Sequence, residues 1–237
     1  MYWLKRVILL LVLSMVCAGP LSSQREKVKN LPYVDMKWFH LGFHLGLHTQ
    51  DLLLTNNGNP TGDGEIWFAE IPSYSLGFSV GVVGDLYLNP YFSLRFIPTI
   101  HFGDKKFIFK EQESGETYQT NVRSNYLSLP VNLKYSAFRV NNYRPYLIAG
   151  VYGSFDLGRK RGNPILLKGT DFGIEFGLGC DIYLPFFKLC PELKFCFGLV
   201  DLLEKDRSDL TDPTLIKYTS ALDKATSRMV VLTLNFE

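Results

Sequence analysis

From Phe39 to His48 the odd positions read Phe39, Leu41, Phe43, Leu45 and Leu47, and the even ones His40, Gly42, His44, Gly46 and His48. A two-residue period puts one apolar face opposite one polar or small face, which is the signature of a β-strand. The same order returns along the chain. Leu76, Phe78, Val80 and Val82 alternate with Ser75, Gly77, Ser79 and Gly81, and further runs occupy Phe92–Phe102, Tyr126–Tyr135, Arg144–Leu157, Asp171–Leu184, Leu189–Leu199 and Met229–Phe236. This pattern predicts about eight strands. The connections alternate in length. Short ones fall at Asn89–Tyr91, Ser136–Asn142 and Pro185–Phe187, and long ones at Thr49–Pro72, Gly103–Ser124, Gly158–Thr170 and Asp201–Ser227. An up-and-down barrel with short turns at one end and long loops at the other has this order, with both termini at the short-turn end.

Alternation does not say which face is inside. A lipocalin-like soluble barrel turns its apolar face inward around a ligand, whereas an outer-membrane barrel turns it out to lipid. Volume separates the two, because an eight-stranded interior is just filled by side chains and cannot take roughly forty bulky Phe, Leu, Ile and Val residues. The opposite face carries Gly with scattered charges, which suits a narrow lumen. Aromatics gather beside the short turns as an interfacial girdle: Trp38, Tyr91, Phe92, Tyr135, Phe138, Tyr143, Phe186, Phe187 and Phe236. The expectation is an all-β protein: an eight-stranded antiparallel up-and-down transmembrane β-barrel with short periplasmic turns and long extracellular loops.

Composition adds less. The 237 residues are 46% hydrophobic and 20% charged with a net charge of +2, which excludes disordered and collagen-like classes and gives no reason to expect nucleic acid. At the N-terminus, Lys5 and Arg6 precede an apolar run from Val7 to Val16 and small residues at Ala18, Gly19, Ser22 and Ser23. That order reads as a secretory signal peptide over 1–23, cleaved to expose Gln24. A periplasmic segment, 24–37, and the barrel, 38–237, follow.

Candidate chemistry is sparse. His40, His44 and His48 stand four apart, which on a strand is ~13 Å per step, so no single ion bridges two of them. Asp85, Arg95, Lys134, Arg144, Asp156, Glu175, Asp181, Glu192 and Lys194 fall on the polar face, and charges in so narrow a space must pair. They are read as a structural lumen network. No nucleophile elbow and no nucleotide loop occurs, so no catalytic, cofactor or metal residue is assigned and no small-molecule substrate is expected. The alternatives are an enzyme at the outer rim, with His48 or His101 as base beside Asp51 or Asp104, and a loop-based adhesin or ligand-binding barrel. Cys180 faces lipid by parity, Cys190 and Cys196 face the lumen too far apart to pair, and Cys17 lies in the signal. Arg159-Lys160-Arg161 is the one basic cluster, either solvated or in contact with anionic lipid.

Several segments resemble the outer-membrane β-barrel domain common in Bacteroidetes: Asn125-Tyr126-Leu127-Ser128-Leu129-Pro130-Val131-Asn132-Leu133-Lys134-Tyr135, Arg144-Pro145-Tyr146-Leu147-Ile148-Ala149-Gly150, Pro191-Glu192-Leu193-Lys194-Phe195, and the final Ser227–Glu237. The stretch Asn30-Leu31-Pro32-Tyr33-Val34-Asp35-Met36-Lys37, leading into His40-Leu41-Gly42-Phe43, resembles the PorT family, called SprT in gliding bacteria. That resemblance implies an outer-membrane component or accessory of type IX protein secretion, with other envelope proteins of the apparatus and membrane lipid as partners. The end departs from the usual insertion signal, in which an aromatic is last, because Glu237 follows Phe236.

Overall fold

The computed structural model describes residues 28–58, 66–70, 75–112, 117–158, 166–204 and 222–237. The expected signal, residues 1–23, and the cluster Arg159-Lys160-Arg161 lie outside the described residues. Ten strand segments follow one another: β1 (Phe39–Asn56), β2 (Trp67–Glu70), β3 (Ser75–Tyr87), β4 (Phe92–Phe96), β5 (Thr99–Glu111), β6 (Thr117–Ser136), β7 (Tyr143–Asp156), β8 (Thr170–Tyr183), β9 (Lys188–Gly198) and β10 (Leu222–Phe236). Each pairs antiparallel with its neighbours, and β1 pairs with both β3 and β10, which closes the sheet on itself.

The ring has eight staves. β4 and β5 are one stave interrupted at Ile97 and Pro98, because proline has no N–H for the ladder. Pro98 contributes its carbonyl instead, accepting the Val82 N–H at 3.1 Å. The register is unbroken across the gap: Arg95 faces Asp85 before it and Ile100 faces Val80 after it. β2 pairs only with the outer end of β5, Trp67 with Glu111 and Glu70 with Ile108, and so stands above the ring.

Alternation becomes two surfaces. Along β8, Asp171, Gly173, Glu175 and Gly177 are buried while Phe172, Ile174, Phe176 and Leu178 are exposed. Exposed apolar side chains continue around the ring, Leu41 at 67%, Leu76 at 78% and Leu232 at 54%, and pair across strands, as in the stacking of Phe43 on Phe236 at 4.5 Å. Such a belt is unfavourable in water and suits lipid. Among the described residues no helix is long and apolar enough to cross a membrane. The aromatics expected at the short-turn end stand there: Tyr91 meets Phe138 at 5.4 Å, Phe92 meets Tyr135 at 5.1 Å, Phe187 meets Phe236 at 5.9 Å, and Trp38, Tyr143 and Phe186 are exposed.

Several strands run further than alternation indicated. β1 continues to Asn56, β5 and β6 stay paired out to Lys110 and Thr117, and β10 begins at Leu222. Segments read as long loops at Thr49–Pro72, Gly103–Ser124 and Asp201–Ser227 are therefore partly strand. The outward apolar pattern marks only the height that lipid covers, and above it the ladder continues without that pattern.

Candidate functional site

The lumen has three levels. At the short-turn end the inward parity of β3 and β4 sets Asp85 directly opposite Arg95. Arg95 is fully buried and meets Asp85 at 2.8 Å, Glu192 at 3.3 Å and Glu237 at 2.5 Å. Lys188 completes the group at 2.5 Å from Glu237, and Lys134 pairs with Asp181 at 2.8 Å. Higher up, Lys194 lies 3.6 Å from Glu175 and 3.9 Å from Glu192, the Tyr146 hydroxyl donates to Glu192 at 2.8 Å, and Asn132 donates to Glu175 at 2.5 Å. Uncompensated charge is costly at such depth, so every one of these groups depends on its partners. Glycines make room for the larger ones. A Cβ on Gly179 would collide with the Tyr146 ring, one on Gly173 with Tyr152, and one on Gly77 with His48. In each case glycine and ring are cross-strand partners.

Two residues expected in this network stand apart from it. Arg144 sits at the short-turn rim, donating to the carbonyls of Ala137 at 2.9 Å and Pro90, 3.5 Å from Asp35. Asp156 lies at the opposite end of β7, accepting the Gly158 N–H at 2.7 Å. Both are polar-face positions, but at opposite ends of a strand and outside reach of the centre. Two members were missed. Lys188 shares the inward parity of Cys190, Glu192 and Lys194, and Glu237 that of Thr233 and Asn235, so parity alone could have placed both. Glu237 turns inward while Phe236 remains the last outward aromatic, so the departure from the insertion signal is a lumen residue following it.

Residues 28–38 lie against the short-turn mouth. Arg139 donates to the carbonyls of Asn30 and of Leu31, the latter at 3.3 Å, and stacks 3.5 Å over the Tyr183 ring. Tyr183 in turn donates to Asp35 at 2.7 Å, and His40 Nε2 meets the Val34 carbonyl at 2.6 Å. Leu31 has φ +48°, a conformation unfavourable to a branched side chain unless neighbours hold it.

The histidines separate by level. His44 Nδ1 meets Asn235 Oδ1 at 2.7 Å, and the His48 and His101 rings meet edge to face at 4.9 Å. His48 is 1% exposed, deep inside rather than near the outer rim as expected. Asp104, exposed on the outer surface of β5, projects away from His101, and Asp51 stands cross-strand from Arg228 with its carboxylate capping the Leu52 N–H at 2.8 Å. Asp104 therefore does not join His101, whereas Asp51 and His101 line the same lumen pocket. Among the described residues no group of three His, Cys, Asp or Glu side chains is disposed to hold a metal. Cys180, Cys190 and Cys196 are free thiols, the last two buried.

At the long-loop end the inward face changes character. On β1 the inward series runs His44, His48, Gln50 and then Leu52 and Leu54. Leu52 joins Trp67, Ala69, Phe109, Leu167, Leu202, Leu203, Leu222 and Ala225 in an apolar cluster over the mouth. Backbone bonds from Leu202 to Ala225 at 2.8 Å and from Lys168 to Leu202 at 2.7 Å fix it. No sequence period signals this cap, because its members come from different connections.

The family described as outer membrane protein beta-barrel domain matches residues 23–204. Neisserial surface protein A is similar in structure over 84% of this chain and 98% of its own, at 10% identity and a TM-score of 0.41. Ail, the attachment invasion locus protein of Yersinia pestis, is similar over 85% of this chain and 99% of its own, at 11% identity and a TM-score of 0.34. No curated protein matches the sequence. With more than half its length matched, the chain belongs to the outer membrane protein β-barrel domain family and resides in the outer membrane, its short turns toward the periplasm.

Proposed function

We propose that this chain is a non-enzymatic, non-conducting component of a type IX protein secretion apparatus, anchored by its barrel and contacting other envelope proteins through its periplasmic face. Residues 1–23 act as the cleaved signal that delivers it. The observation that carries this reading is the periplasmic segment: Arg139, Tyr183 and Asn142 hold residues 28–36 in one conformation, yet Val28, Tyr33 and Met36 are 86%, 76% and 76% exposed. Fixing a short segment costs conformational entropy, and presenting apolar side chains to water costs more, so an ordered apolar edge is best explained as a contact surface. The resemblance of Asn30–Lys37 to the PorT family supports the same assignment. A lumen packed with paired charges supports a scaffold over a conduit.

The test is a strain lacking this chain, complemented by the wild type or by a form in which residues 28–36 are replaced by a Gly-Ser linker. Loss of surface delivery of type IX cargo in the deletion, not restored by the linker form although its barrel shows heat-modifiable mobility, is expected. Normal cargo export in the deletion strain removes the secretion role. The ordered outer cap favours a second reading, binding at the cell surface. It predicts that disrupting the cap abolishes surface binding while export continues.

A further inference from the structure

Between the charge network and the apolar cap the lumen holds a small cavity of about 40 Å³, partly continuous with solvent, with room for only a few water-sized groups and so for nothing larger than a very small molecule. Gln50 Oε1 and His101 Nδ1 on its lining are buried and make no hydrogen bond among the described residues. Gln50 is 7% exposed and His101 6%. A polar atom buried to this degree is stabilised by a donor that reaches it. A third acceptor is the Asp171 carboxylate, 8% exposed and positioned by hydrogen bonds from Ser227 and, at 3.4 Å, from the Tyr152 hydroxyl. The rings of Tyr126 and Tyr152 line the walls, and Leu202 of the cap closes the top.

Arg228 also lines the pocket, cross-strand from Asp51, but Gln50, His101 and Asp171 share one chemical preference. A carboxylate and an amide oxygen accept, and an imidazole nitrogen accepts in the tautomer protonated at the other nitrogen. An alkylammonium offers three N–H donors and no acceptor, and aromatic faces attract it. We propose that this pocket binds a small primary amine from the external medium, with its ammonium at Asp171, Gln50 and His101. The barrel wall separates the site from the bilayer, so the ligand is a soluble amine and not a lipid headgroup. This site is independent of the secretory role and departs from the expectation that no small molecule is bound.

The full chain, refolded into phosphatidylcholine vesicles, is titrated calorimetrically with ethanolamine and, as the uncharged counterpart of similar size, ethylene glycol. Saturable binding of ethanolamine, at least about tenfold tighter than ethylene glycol, is the expected result. Asp171→Asn weakens it about tenfold or more, and Gln50→Leu, which leaves the carboxylate in place, weakens it several-fold. Heat-modifiable mobility establishes that each variant is folded, and Gln50→Leu carries the test if Asp171→Asn does not fold. Absence of saturable ethanolamine binding overturns the proposal. So does equal binding of ethylene glycol, or unchanged affinity in the folded variants.

Discussion

Arg95 has no access to water and faces three carboxylates, so its charge and theirs are mutually dependent. Removing one partner from a buried ion group leaves the others desolvated, at about 3–5 kcal/mol. Arg95→Met is expected to lower stability by that order, measured as the urea midpoint of tryptophan fluorescence in vesicles. Glu237→Ala separates two roles at the end of the chain. It removes the partner of Arg95 and Lys188 while Phe236 keeps its place on Phe43, so the variant is expected to insert and show heat-modifiable mobility but unfold at lower urea. A Glu237→Ala protein as stable as the wild type would show that Asp85 and Glu192 alone satisfy Arg95.

At the level of strands, glycine placement is a packing device. Gly179 lies inward beneath the Tyr146 ring, whereas Gly153 lies outward with no atom within 4 Å of an added Cβ. Gly179→Ala is expected to cost about 1–3 kcal/mol by overpacking, and Gly153→Ala to change stability by less than about 0.5 kcal/mol. Equal effects in the same urea assay would contradict this assignment of faces. The strands themselves were legible because lipid outside and side chains inside impose opposite polarities on neighbouring positions. Alternation therefore located all eight staves and the inward positions of Asp85, Arg95, Lys134, Asp181 and Glu192. It could not place Arg144 or Asp156, since parity gives the side of a strand and not the height along it. The cap over Leu52 and the clamp of Arg139 on Asn30 were illegible for another reason: both join residues far apart in sequence through contacts with no period.

In the molecule as a whole, the charge network and the apolar cap meet inside one ring among the described residues. The network around Arg95 and Lys134 fills the periplasmic half, and the apolar cap around Trp67 and Leu203 covers the external mouth. Each obstructs the lumen at a different height by a different interaction, the cap leaving the pocket beneath it partly open to solvent, so loss of one leaves the other intact. Purified protein in a planar bilayer is accordingly expected to show no stable conductance steps, and large persistent steps would contradict a filled lumen. Trp67 is 2% exposed and belongs to the cap alone, on a strand that pairs only above the ring. Trp67→Ala is expected to cost about 3–5 kcal/mol of local packing, which loosens the outer strands without reaching the staves below. Added protease should then cut the external segments faster on intact cells, while the barrel keeps its heat-modifiable mobility and remains non-conducting. Conductance appearing in this variant would mean that the cap is the sole seal and that the charged half of the lumen is permeable to ions.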